Sequence, residues 1–131
     1  MPFRIRDGKI EVMLITARGG NRWIVPKGLI EDGMSAVEAA AQEAFEEAGI
    51  RGQVSANSVG EYQYEKWGGT CVVQVFLMQV EETLENWPEA SIRKRRLVSL
   101  ETAREMVSEP ALKTILANLQ KLVEQNYPAR R

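Results

Sequence analysis

Apolar and polar positions alternate through two early runs, Phe3 to Arg6 and Lys9 to Ala17, and Asp7-Gly8 between them predicts a two-residue hairpin. In the second run Val12, Leu14 and Ile10 fall on one side and are expected to face a core. Arg18 to Arg22 reads as a glycine-rich turn, followed by a short strand at Trp23-Ile24-Val25 and a loop from Leu29 to Met34. The period then changes. From Ser35, with Glu38 three residues later as a capping box, a helix is expected over Ala36 to Ala48, stopped by Gly49. Its apolar face would be Val37, Ala41, Ala44, Phe45 and Ala48. Further strands are expected at Gln53–Ser58, Gly60–Lys66, Thr70–Val80 and Arg93–Leu100, with a polar connection from Glu81 to Ser91 broken at Trp87-Pro88. Two helices close the chain, Leu100–Val107 and Pro110–Gln125. Ser108 is the expected cap of the second, and Leu112, Ile115, Leu116, Leu119, Leu122 and Val123 form its stripe. This order predicts an α/β (α+β) fold with a mixed sheet between helical layers.

A length of 131 residues suits one domain, 1–131, with 44% hydrophobic and 27% charged residues. The net charge of −1 provides no global field for nucleic acid or a membrane surface, so any basic site is local. No apolar run reaches the ~18 residues of a membrane span, and Met1-Pro2-Phe3-Arg4 does not read as a signal peptide. The single cysteine, Cys71, is expected to be a buried strand residue, and a cytoplasmic location is expected with it. The chain has no histidine. That excludes Ser-His-Asp and Cys-His nucleophilic machinery and every histidine zinc site, so proton chemistry would fall to carboxylates, lysines, tyrosines or a metal-activated water.

Against that background one cluster stands out. Glu43, Glu46 and Glu47 occupy positions i, i+3 and i+4 of the expected helix, within about 100° of arc. Like charges at that spacing repel. A cation relieves the repulsion, and oxygen ligands alone suit a hard ion, Mg²⁺ or Mn²⁺, of the kind that works on phosphate oxygens. A bare Glu-x-x-Glu-Glu could equally be a solvated acidic face.

The residues around it resemble the Nudix hydrolase family, whose signature is G-x5-E-x7-R-E-U-x-E-E-x-G-U, with U a bulky aliphatic residue. Gly28 matches the first glycine, and Glu43, Glu46, Glu47, Gly49 and Ile50 match the second half in register. The strand ending Pro26-Lys27-Gly28 and the helix capped at Ser35 fit as well. The resemblance implies a Nudix-like α/β/α sandwich. It also implies metal ligation by Glu46 and Glu47, by the Gly28 carbonyl, and by Glu43 as ligand or as the base that orients water. Glu61 and Glu65 are candidates for a further carboxylate from outside the signature. Two charged positions depart, with Met34 and Gln42 standing where the family has a Glu–Arg pair that braces the loop against the helix. Losing both members avoids an uncompensated buried charge, and an uncharged Met34–Gln42 contact could fill the space.

The resemblance further implies Mg²⁺- or Mn²⁺-dependent cleavage of a diphosphate linkage in a small phosphorylated substrate, with no membrane or nucleic-acid partner expected. Arg18, Arg22, Lys27, Arg93 and Arg95 are the candidate phosphate-binding residues; on a strand only alternate members of Arg93-Lys94-Arg95-Arg96 can face one site. The same run could instead protect an edge strand by charge. Arg22 to Pro26, Leu84 to Trp87 and Arg93-Lys94-Arg95 place the likeness nearest the diphosphoinositol polyphosphate and diadenosine polyphosphate phosphohydrolases. Positive charge near residues 66 to 69 is thin, with Lys66 beside Trp67-Gly68-Gly69, which favours a dinucleoside polyphosphate over an inositol. Tyr62, Tyr64 or Trp67 could stack on a base or pack within a strand. A Nudix-fold binding module with weakened catalysis is the alternative that Met34 and Gln42 suggest.

Overall fold

The computed structural model describes residues 1–27, 33–66 and 68–128. β1 (Pro2–Arg6) and β2 (Lys9–Thr16) pair antiparallel with Arg6 opposite Lys9. Asp7 and Gly8 both have positive φ, 52° and 76°, as the tight turn requires. β2 is central: it also pairs with β3 (Trp23–Ile24) and, antiparallel, with β8 (Arg95–Ser99). On the other side β1 runs parallel to β7 (Met78–Thr83), which pairs antiparallel with β4 (Ile50–Val54). The sheet is therefore mixed, in the order β3-β2-β1-β7-β4 with β8 on β2. β5 (Gly60–Lys66) and β6 (Gly69–Val75) form a separate hairpin with Tyr62 opposite Val73.

β2 differs from the one-faced strand expected of it. Val12, Leu14 and Ile10 do face a core, which α2 (Leu100–Met106), α3 (Pro110–Ala117) and α4 (Leu119–Asn126) cover through Ala103, Leu112, Leu116 and Leu119. Met13 and Ile15 on the opposite face are buried too, in a second core with Ala44, Ala48 and Ile50. Helices on both faces demand two apolar faces, which is the layered α+β arrangement expected from the order of elements.

Other boundaries differ from those expected, each for a specific physical reason. β4 begins at Ile50, not Gln53, because Ile50 is fully buried and pairs with Thr83 as soon as Gly49 has turned the chain. The expected strand from Thr70 to Val80 breaks at Phe76-Leu77, where buried Ser55 captures the backbone. Leu77 N–H donates to Ser55 Oγ at 3.0 Å and Ser55 N–H to Leu77 O at 2.8 Å. The last expected helix is two, broken at Asn118, and Glu109 rather than Ser108 caps the first of them, ahead of Pro110 at its first turn. Cys71 lies on β6 but is half-buried rather than buried, since its hairpin stands outside the main sheet. No helix among the described residues is long and apolar enough to cross a membrane.

Candidate active site

α1 (Ala36–Glu43) starts as its sequence dictates. Ser35 Oγ accepts from Glu38 N–H and the Glu38 carboxylate accepts from Ser35 N–H, each at 3.1 Å, a complete capping box. After Glu43 the helix widens into a π turn, Ala44–Ala48, and ends at Gly49 in the left-handed region with φ 66°. This widening was not legible in the repeat, and it alters which residues are buried. Ala39, Ala44 and Ala48 are buried, while Val37 and Phe45 are only half-buried, and the Arg51 guanidinium lies 4.7 Å from the Phe45 ring centroid.

The expected split into an apolar face and a carboxylate face therefore fails at Glu47, which is 5% exposed. Its Oε1 accepts from Lys27 N–H at 3.1 Å and lies 3.8 Å from Arg93 Nη2. Burial, then a hydrogen bond with Glu43, push the Glu47 carboxyl up to about 8, against the Lys27 N–H and the Arg93 charge. Glu43 and Glu47 are thus brought together. Glu46 turns elsewhere: Gln42 Nε2 donates to its Oε1 at 2.9 Å, so the Gln42 amide serves the next turn of its own helix. Met34 is half-buried. Among the described residues no three acidic side chains form a metal-holding group. The Glu47 carboxyl, driven by burial and by its hydrogen bond with Glu43 to hold a proton, still fits a divalent ion beside its neighbour. Mg²⁺ in particular is held by one or two carboxylates together with water and substrate phosphate, not by a full protein cage. Gly28 lies outside the described residues.

The basic candidates divide. Arg18 and Arg22 are exposed on the turn between β2 and β3. Lys27 is half-buried, its Nζ 5.7 Å from the centroid of the Tyr62 ring, which is itself packed into the larger core. Along the late basic run Arg93 and Arg95 are half-buried while Lys94 and Arg96 are exposed, the alternation expected of an extended chain. Arg93 donates through Nε to Glu89 Oε1 at 2.9 Å and through Nη1 to Thr16 O at 2.9 Å. Arg95 donates through Nη1 to Ala48 O at 2.8 Å and stacks on Trp87, its guanidinium carbon 3.9 Å from the ring centroid. Trp87 Nε1 donates to Glu47 O at 3.0 Å. Trp87, Glu89 and Thr16 carried no local signal for this site, since the turn they serve is distant in sequence. Glu61 and Glu65 are exposed on β5, with Glu65 accepting from Thr70 Oγ1 at 3.0 Å. Trp67 and the side chains of Tyr64 and Lys66 lie outside the described residues.

Beside the carboxyl pair is a cavity of about 340 Å³. Ala39, Ala40 and Ala44 of the helix form one wall, and Val72, Phe76 and Lys27 contribute to the others. Small residues along the helix open the space, and Lys27 joins it to the carboxyl pair through its bond to Glu47.

A family model described as the NUDIX domain matches residues 3–119. The chain is 38% identical over 99 residues to Nudix hydrolase 4 of Arabidopsis thaliana, covering 74% of this chain and 47% of that protein. It is 37% identical over 97 residues to diphosphoinositol polyphosphate phosphohydrolase 3-alpha of Mus musculus, covering 71% of this chain and 57% of that one. The chain therefore spans about half the length of these curated relatives. Among solved structures, a C. elegans Ap4A hydrolase binary complex superposes with a TM-score of 0.78 over 95% of this chain and 93% of that chain, at 21% identity, a likeness of fold.

Proposed function

The chain belongs to the Nudix family, and from that premise we propose that it is a divalent-metal-dependent hydrolase of a diphosphate linkage in a nucleoside diphosphate-X type substrate. The whole chain, 1–131, is taken as one such domain, and its cytoplasmic location rests on the single cysteine. The observation that carries the proposal is the pairing of buried Glu47 with half-buried Glu43 on a helix in the family's frame. Glu47 and Glu43 would hold Mg²⁺ or Mn²⁺, with Glu46 and the Gly28 carbonyl as the family's further ligands. Once bound, such an ion neutralises phosphate oxygens and lowers the pKa of water. The protein's own part is positional. Glu43 would orient the attacking water, and Lys27, Arg18 and Arg22 would bind the outer phosphates.

The cavity supports the finer reading. Its described walls are chiefly apolar, with Lys27 as their one charged residue. A nucleobase fits such walls better than a polyphosphorylated inositol, whose every face carries charge. A dinucleoside polyphosphate is therefore the favoured substrate and a diphosphoinositol polyphosphate the second. Phosphate release from a panel of nucleoside diphosphate-X compounds with Mg²⁺ or Mn²⁺ tests this. Turnover is expected to be abolished by chelator and to fall on the order of a thousandfold in Glu47→Gln, a few kcal/mol of lost charge stabilisation. Metal-independent turnover, or an undiminished mutant, contradicts it.

A second reading is a phosphate-ligand binding module with weakened catalysis. It is favoured by Gln42 holding Glu46 and by the lack of a three-carboxylate group among the described residues. Met34→Glu combined with Gln42→Arg then raises turnover by orders of magnitude at unchanged ligand affinity; no gain removes this reading.

A further inference from the structure

Three glutamates at the C-terminal end of a helix lie at the negative pole of its dipole, and two of them, Glu43 and Glu47, also meet. The last carbonyls of that helix also lack partners within it. Both problems are met by one stretch of chain, Leu84 to Arg95. Glu89 N–H donates to Glu46 O at 3.0 Å, Trp87 Nε1 to Glu47 O at 3.0 Å, Arg95 Nη1 to Ala48 O at 2.8 Å, and Leu84 N–H to Gly49 O at 2.8 Å. Four successive carbonyls of the metal-site turn are thus closed by a single strap.

Arg93 goes further than the backbone. Its side chain is 9% exposed and is itself fixed on two sides, by Glu89 and by the Thr16 carbonyl of β2. Held in that way, its Nη2 reaches Glu47 Oε1, the oxygen that also accepts from Lys27 N–H. Both contacts fall on one carboxylate oxygen and so fix the carboxyl beside Glu43. The signature's own brace is missing at Met34 and Gln42. We propose that the strap supplies it, with Arg93 as a positioning residue that orients the Glu47 carboxylate for metal and with Trp87 and Arg95 fixing the turn beneath it. This rests on the metal-dependent reading of the site. It also gives Arg93 a role other than binding substrate phosphate.

Mn²⁺ titration by electron paramagnetic resonance, paired with steady-state kinetics on the full chain at a temperature where each variant is folded, separates the two roles. In Arg93→Met the Mn²⁺ dissociation constant is expected to rise, and kcat to fall, by about 10- to 100-fold, the usual cost of losing a group that orients a ligand. KM for the nucleotide substrate should stay within about threefold. Arg93→Lys, which keeps a charge but not the two fixing bonds, should recover only part of the Mn²⁺ affinity. A raised KM with unchanged Mn²⁺ affinity overturns the proposal and makes Arg93 a phosphate ligand. Trp87→Phe, which removes the donor to Glu47 O while leaving an aromatic ring under Arg95, carries the test if Arg93→Met does not fold. A weaker Mn²⁺ site supports the strap, and an unaltered one overturns it. Wild-type protein that binds Mn²⁺ but hydrolyses nothing defeats the hydrolase reading alone, because the Mn²⁺ arms still decide the strap. Wild-type protein that binds no Mn²⁺ defeats both.

Discussion

The two ends of the glutamate helix are closed in opposite ways. The first turn is capped by its own neighbours, Ser35 and Glu38, through bonds that span three residues. The last turn is capped by Trp87, Glu89 and Arg95, which arrive from some forty residues downstream. Local closure costs little chain entropy and forms with the helix itself, whereas distant closure exists only once β2, β7 and β8 have assembled. The proposed metal site sits at the second end. Glutamates in a last turn oppose the helix dipole, so a turn that carries them needs outside support, and this chain obtains it from two arginines and an indole. The end proposed to hold the metal is thus the end whose stability depends on the whole fold.

The largest break in that contrast is expected at Gly49. Its φ of 66° is costly for any other residue, and an added Cβ would stand 2.7 Å from Arg95 Nη1 and 2.8 Å from Trp87 Cβ. Gly49→Ala should destabilise the protein by about 2–4 kcal/mol, combining left-handed strain with overpacking, as a lowered urea midpoint will show. Metal affinity should drop with it, since the substitution pushes the strap off the turn. At the other end Ser35→Ala should cost only about 1 kcal/mol and leave Mn²⁺ affinity unchanged. Equal effects of the two substitutions on metal binding would erase the distinction between the ends.

A smaller effect sharpens it by pH. In the metal-free protein the Glu47 carboxyl is raised from 4.5 to about 8, first by burial and then by Glu43. Below about pH 4.5 the folded and unfolded chains both hold the proton, and the contribution of this group is fully favourable. As pH rises toward 8 the unfolded chain releases its proton while the folded one keeps it, so stability falls across that window. Urea midpoints measured in chelator should decline from about pH 5 to about pH 8, and Glu47→Gln should flatten the decline. Added Mg²⁺ should also flatten it, because a cation takes the place of the proton. A decline that persists in the mutant would assign the pH dependence to another group.

The same division explains what could be read from the sequence. The Asp7-Gly8 hairpin, the Ser35–Glu38 box, the Gly49 stop and the Leu112 to Val123 stripe were legible because each is fixed by residues a few positions apart. The glutamate frame was legible for the same reason. The π turn was not, for the 3.6-residue period carries no mark of where a helix widens. Arg93 and Arg95 are basic residues that share one side of an extended run, as alternation predicts. Their partners, Glu89, Thr16 O and Ala48 O, depend on tertiary placement, so a role at the helix end could not be told from phosphate binding. The breaks at Phe76-Leu77 and Asn118 escaped likewise. The first is imposed by Ser55, which lies across a sheet boundary and is silent in any local window.

Mn²⁺ binding by the wild-type chain and by Glu47→Gln, followed by electron paramagnetic resonance at pH 8, tests the central claim most directly. The Glu43–Glu47 pair predicts saturable binding by the wild type and a loss of at least about tenfold in affinity for the mutant. Equal affinity in the two proteins would contradict a metal site built on this helix.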